Sequence, residues 1–257
     1  MTTKDSYAPG TPCWVDLASP DLVTSVAFYR GLFGWEAPEL PPEAGGYRMF
    51  ERGGVPVAGA GPVMFPDQPV AWTTYVCVDD AETTSSAIVA AGGTILVAPM
   101  DVLDVGRMCV FLDPTGATGA LWQPRAHKGA GVVNEPGALC WNELATGQPD
   151  LAVAFYGAVF DWRASTVEVG DAPYTEWKLG DDTVAGMRPM PEEVAAEVAA
   201  HWLPYFAVDD CDATVAAGRA AGAGVAVPPT DIPPGRFAVL DDPTGAVFAV
   251  IALAGPV

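Results

Sequence analysis

The segments "TPCWVDLASPD" (Thr11–Asp21) and "ALCWNELATGQPD" (Ala138–Asp150) each place a tryptophan two residues before a carboxylate: Trp14 with Asp16, and Trp141 with Glu143. On a β-strand alternate side chains share a face, so an indole and a carboxylate point the same way in both segments. A carboxyl held in apolar surroundings has a raised pKa and can act as an acid or base. An indole beside it offers flat stacking area. Alternation also couples Tyr47 to Met49, Tyr174 to Glu176, and Ala120 to Trp122. By the same parity Trp72 goes with Thr74 and Val76, and Trp202 with Pro204 and Phe206, and all are expected to face the same interior. The candidate catalytic residues are therefore Asp16, Glu143 and Glu176. The candidate ligand-binding residues are Trp14, Tyr47, Trp72, Arg107, Trp122, Trp141, Tyr174, Trp202 and Arg236. Arg107 and Arg236 each follow a glycine at a strand start. They either orient an anionic or carbonyl group by a two-pronged hydrogen bond or pin their loops by pairing with Asp104 and Asp231. The bland alternative stays open too: the tryptophans can be core, and the carboxylates structural.

Other chemistries lack their residues. There is no Ser/His/Asp grouping, no G-x-x-x-x-G-K-[ST] loop, and no dinucleotide glycine pattern after a first strand. The two histidines, His127 and His201, stand far apart, the first in a candidate linker and the second just before Trp202. The five cysteines form no C-x-x-C pair and read as reduced thiols packed as small hydrophobes.

These residues sit in a chain that repeats itself. "SVAFYRGLFGW" (Ser25–Trp35) recurs as "AVAFYGAVFDW" (Ala152–Trp162), "WTTYVCVDD" as "WLPYFAVDD", and "GRMCVFLDPTGA" as "GRFAVLDDPTGA". The offsets are 127, 130 and 129 residues, which marks duplicated domains. The expected division is residues 1–124, a linker over 125–137, and residues 138–257. Within each half a strand, an acidic residue, a helix and further strands occur twice. Strands are predicted over Cys13–Ala18, Tyr47–Arg52, Val57–Ala60, Trp72–Val78, Thr94–Ala98, Met108–Leu112 and Ala117–Gln123. Helices are predicted over Leu22–Phe33, Ala81–Ala91, Leu151–Phe160 and Cys211–Ala221, with Asp21 and Asp79 or Asp80 as caps. The expected fold is α+β: two domains, each of two βαβββ modules forming a curved eight-stranded cup closed around its uncovered face, helices outside, the two domains burying each other's edges.

The formal charge of −20 repels phosphate backbones and anionic membrane surfaces, so neither nucleic acid nor a membrane is an expected partner. The opening "MTTKDSYAPG" has no apolar leader segment, so the cytoplasm is the default location.

The strand–Asp–helix segment ending "AFY…LFGW", the "VDD…A…AGG" module and the "DPTG" turn, in order and twice, resemble the vicinal oxygen chelate superfamily of glyoxalases, bleomycin resistance proteins and extradiol dioxygenases. The resemblance covers Thr11 to Ala252. It is narrower toward a two-domain actinobacterial branch that includes a mycobacterial antigen and is often labelled hydroxylase or glyoxalase-like. It implies metal ligands at Trp14 and Trp141, Trp72 and Trp202, and Ala120 and Ala249, and none of these residues is a ligand. No metal and no cofactor is therefore expected, although a carboxylate-only ion site drawing on Asp16 and Glu176, or His201 displaced by one position, stays open. The implied function is to act on or bind a small hydrophobic or aromatic molecule without the family's usual metal. A drug-sequestering protein like the bleomycin resistance group, and a metal-dependent lyase or dioxygenase with unusual ligands, are the alternatives. Whether the chain is an enzyme is left open at this point. A monomer with pseudo-dimeric domains or a weak homo-oligomer is expected.

Overall fold

The computed structural model describes residues 3–65, 67–169 and 172–255. The first half runs β1 (Pro12–Ser19), α1 (Leu22–Phe33), β2 (Arg48–Arg52), β3 (Val55–Pro62), β4 (Ala71–Cys77), α2 (Ala81–Ala90), β5 (Thr94–Val102), β6 (Gly106–Leu112) and β7 (Thr118–Pro124). The second runs β8 (Leu139–Thr146), α3 (Pro149–Phe160), β9 (Arg163–Val169), β10 (Ala172–Leu179), β11 (Asp182–Pro189), the short α4 (Glu192–Ala195), β12 (His201–Ala207), α5 (Cys211–Ala220), β13 (Gly224–Ile232), β14 (Gly235–Asp241) and β15 (Val247–Leu253). Asp21, Asp80 and Asp210 each accept a backbone N–H at the start of α1, α2 and α5, where orphan helix donors need an acceptor.

Each half supplies one mixed sheet, and the two orders are β2-β3-β1-β4-β7-β6-β5 and β13-β14-β15-β12-β8-β11-β10-β9. The first sheet has seven strands where eight were expected. The stretch matching β9 is proline-rich ("APELPP"). Proline cannot donate to a ladder, so only the isolated bridges Glu36–Glu51 and Glu39–Arg48 form there. Neither sheet closes into a cup: each stays open, with β2 and β5 at the edges of one and β13 and β9 at the edges of the other.

The expectation that the halves bury each other's edges is also corrected, because what they bury is their helix-bearing faces. One core joins Leu17, Phe28, Tyr29, Trp35 and Trp72 of the first half to Phe206, Leu240 and Phe248 of the second. The other joins Ile88, Phe111 and Leu121 to Phe155, Tyr156, Trp162, Trp177 and Trp202. Thr74 Oγ1 donates to Asn142 Oδ1 across the middle at 2.9 Å, satisfying two buried polar groups.

This arrangement explains the recurring aromatic segment. Trp202 Nε1 donates to Tyr156 Oη (2.9 Å), which donates to Asp113 Oδ2 of the other half (2.8 Å). Symmetrically, Trp72 Nε1 donates to Tyr29 Oη (3.0 Å), and Tyr29 lies beside Asp242 of the other half. Asp113 still shapes its turn, its Oδ1 accepting from Thr115 and from Ala117 N. The tryptophans that end the two segments reach across as well, Trp35 Nε1 to Gly137 O and Trp162 Nε1 to Gly10 O, both at 2.7 Å. All five cysteines are free thiols.

Candidate functional site

The faces turned away from the helices carry the chemistry, and strand register places it. In the first sheet Asp16 stands opposite Gly59 on one side and Thr73 on the other, and Trp14 stands opposite Tyr75. In the second sheet Glu143 stands between Gly186 and Leu203, Trp141 is opposite Tyr205, and Glu176 follows Gly186 in the same row.

The result is a hydrogen-bonded chain written twice. Trp14 Nε1 donates to Tyr47 Oη (3.1 Å), Tyr47 Oη to Asp16 Oδ2 (3.3 Å), and Tyr75 Oη to the same Asp16 oxygen (2.9 Å). In the second sheet Trp141 Nε1 donates to Tyr174 Oη (2.8 Å) and Tyr205 Oη to Glu143 Oε1 (3.1 Å). Burial pushes the Asp16 carboxyl up to about 6, against the two tyrosine hydrogen bonds that pull it down. Burial likewise raises Glu143, while the Arg188 charge and the Tyr205 and Tyr174 hydroxyls oppose it. The four phenols are raised, first by burial and then by the neighbouring carboxylate, and stay protonated donors at neutral pH.

Glycine makes both chains fit. A Cβ at Gly59 would overlap the Tyr47 hydroxyl, and one at Gly186 the Tyr174 hydroxyl and the Trp141 indole nitrogen. Gly186→Ala is expected to swing Tyr174 off its partners at about 1–3 kcal/mol of stability, the usual range for overpacking. Thermal melts and the near-ultraviolet circular dichroism of Trp141 check it, and an unchanged near-ultraviolet spectrum would count against the fit.

The two sites differ in their cover. His127, carried by the chain between the sheets, lies edge-on to Trp14 (4.4 Å between ring centroids) and near Trp122 (5.5 Å). Its Nε2 is buried without a hydrogen-bond partner, and burial lowers its pKa to about 4, so the ring is neutral. Trp122 Nε1 donates to His127 O, and Tyr7 Oη to Ala130 O, holding this segment against β1. Gly129, at φ +112 and pressed against Cys13 O, permits the approach. Trp14 is left 3% exposed. Trp141 has no such cover and is half-buried. Around it stand Leu203, Tyr205, Phe237, Val239, Ala249 and Ile251.

Four candidates lie away from the sites, Trp72 and Trp202 by strand parity and Arg107 and Arg236 by their ion pairs. Trp72 and Trp202 face the opposite way, into the cores between the sheets, because β4 and β12 pair so that Leu17 opposes Trp72 and Leu144 opposes Trp202. The residues of those strands that do reach the sites are Tyr75 and Tyr205, whose recurrence within "WTTYVCVDD" and "WLPYFAVDD" was the available signal. Arg107 pairs with Glu82 and Asp101, and Arg236 with Asp212 and Asp231, on the helix side, so neither reaches a site. Of the two pinning partners considered from sequence, Asp231 holds Arg236, while Arg107 takes Asp101 instead of Asp104. Glu176 pairs with Lys178 Nζ at 2.8 Å.

Among the described residues no three His, Cys, Asp or Glu side chains converge. At the positions where the family resemblance implies ligands stand indole N–H groups, which donate, and the buried methyls of Ala120 and Ala249. One carboxylate ringed by phenol donors does not fit a divalent-ion centre of the family's kind.

The family model described as the Glyoxalase/Bleomycin resistance protein/Dioxygenase superfamily matches residues 13–121 and again 128–250. The chain belongs to that superfamily. It is 44% identical over 260 residues to the protein CFP32 of Mycobacterium tuberculosis, covering 98% of each chain. It is 40% identical over 262 residues to the anthracycline biosynthesis protein DnrV of Streptomyces peucetius, covering 96% of this chain and 94% of that one. Among solved structures, the Mn(II)-bound glyoxalase from Novosphingobium aromaticivorans superposes with a TM-score of 0.68 at 15% identity, over 97% of this chain and 84% of that one. The 2,3-dioxygenase LapB from Pseudomonas sp. KL28 gives 0.66 at 16%, over 98% and 94%. At these identities the two structures speak for the fold alone. Among the described residues no helix is long and apolar enough to cross a membrane.

Proposed function

We propose that the protein binds a planar, hydroxylated aromatic small molecule against the open face of the second sheet, without a bound transition metal. The observation that carries this reading is the Trp141–Tyr174–Glu143–Tyr205 constellation, duplicated in the first half, whose indole and Tyr174 are half-buried in the second while His127 lies against the indole of the first. Trp141 supplies stacking area, the half-buried Phe237 adds apolar contact, and the two phenols with Glu143 fix ligand hydroxyls. Glu143, raised by burial and bonded to phenols, is the group that can also give or take a proton from a bound hydroxyl. In the first site His127 stands edge-on against Trp14, and that indole serves as a buttress. The relative named for anthracycline biosynthesis supports the class of ligand, since an anthracycline is a flat, hydroxylated polycycle.

Trp141→Phe is expected to weaken binding of such compounds about tenfold, by lost stacking area and the lost Nε1 hydrogen bond to Tyr174. Trp14→Phe is expected to leave affinity unchanged. Quenching of intrinsic tryptophan fluorescence across a panel of hydroxylated anthraquinones checks both; equal affinities for wild type and Trp141→Phe would sink the reading. Elemental analysis of the purified protein tests the metal-free part, and about one equivalent of Fe, Mn, Ni or Zn would overturn it. A sequestering role shares this site. Recovery of the bound compound unchanged after prolonged incubation decides for sequestration over turnover.

A further inference from the structure

Arg188 is the element of the second site that has no counterpart in the first. It stands opposite Ala145 on β11, where the first sheet has Gly61 opposite Ala18. Its Nε lies 3.4 Å from Glu143 Oε1, with its own side chain 52% exposed and that of Glu143 7% exposed. Among the described residues its two terminal nitrogens have no partner. Arg236 shows the contrast: all three of its guanidinium nitrogens are engaged, by Asp212 and Asp231 at 2.6–3.0 Å. A guanidinium held by Nε alone presents its remaining N–H edge as an open fork matched to two oxygens of one acidic group.

The placement along the strand gives the ligand its shape. Trp141, Glu143 and Ala145 share one face of β8, so Trp141 and the row of Arg188 are separated by about 13 Å of strand rise. The Arg188 side chain reaches back toward Glu143, shortening this to the span of a two- or three-ring aromatic. We infer that Arg188 selects, within the class of ligand proposed above, molecules with a carboxylate at one end of the ring system, the rings over Trp141 and the carboxylate on the Arg188 fork. In a chain of net charge −20 such a cation is a local attraction set against a repelling field, so the preference depends on contact at the fork.

The inference rests on the proposed site, and a matched pair of probes separates the two. 2-Naphthoate and 2-naphthamide share rings and shape and differ in charge. Titrated against wild-type protein by calorimetry, the carboxylate is expected to bind about tenfold more tightly than the amide, from the charge-assisted fork. Arg188→Gln should abolish that preference while leaving the amide's affinity within about twofold. Arg188→Lys, which keeps the charge but not the fork, should retain only part of it. Equal binding of both probes by the wild type, with both weakened in Trp141→Phe, would overturn the selectivity of Arg188 and leave the aromatic site standing. A preference that persists in Arg188→Gln would overturn it equally. Binding of neither probe would remove the site and the inference together.

Discussion

Tyr156→Ala is expected to cost about 5 kcal/mol, a large share of the 5–15 kcal/mol that stabilises a typical domain. The phenol is fully buried in the core shared by the two halves, stacked on Trp162 (5.3 Å) and edge-on to Trp202 (5.5 Å). Deleting it leaves a cavity in a packed aromatic core. It also strips the partner from Asp113 Oδ2 and the acceptor from Trp202 Nε1. Tyr156→Phe isolates the polar part and is expected to cost about 1–3 kcal/mol. Urea unfolding of the three proteins, compared at equal slope, measures both. If Tyr156→Phe proves neutral, the crosswise link between helix α3 and the "DPTG" turn of the other half contributes nothing to stability. The aromatic repeat would then be explained by packing alone.

The duplication was legible because repetition at a near-constant offset survives without knowledge of contacts. Helix α1 was legible to the residue, since Asp21 starts it and Gly34, in the left-handed region at φ 70, ends it. That Trp14 and Asp16 share one face followed from alternation within one strand. What alternation cannot supply is the phase of one strand against another. Trp72 and Trp202 were therefore assigned to the wrong face, and Tyr75 and Tyr205, one residue out of phase with that assignment, were missed. The β-bulge in β1 between Pro12 and Trp14 adds to the difficulty, because it brings Cys13 and Trp14, neighbours in sequence, into one cluster. Gly59 and Gly186 were invisible as site residues because their role is to be vacant space beneath a phenol. His127 and Arg188 carry no local signal at all: one arrives from an irregular segment, the other from a strand with no motif.

At pH 7 Asp16→Asn is expected to be more stable than the wild type, and the margin is expected to grow as pH rises from about 4 to about 6. The carboxyl is pushed up to about 6 by burial, with two phenols donating to Oδ2. Among the described residues no cation pairs with it, whereas Glu143 in the second site has Arg188. In the unfolded chain an aspartate loses its proton near pH 4. Between that value and about 6 the folded protein holds a proton that the unfolded chain has released, so stability falls with rising pH across this window. A shift of about two pH units corresponds to roughly 3 kcal/mol. Asparagine carries no charge to desolvate and can still accept from one tyrosine, so it removes the slope that Asp16 contributes. Urea unfolding of both proteins at half-unit steps from pH 4.5 to 7.5 reads the difference directly, and other titrating groups cancel in it. A difference that stays flat across the window would mean that the Asp16 carboxyl titrates as it does in water. A rising difference would show that the first sheet keeps an ionisable carboxyl at a standing cost in stability. Folding alone does not explain keeping it, since the amide would hold the same place more cheaply.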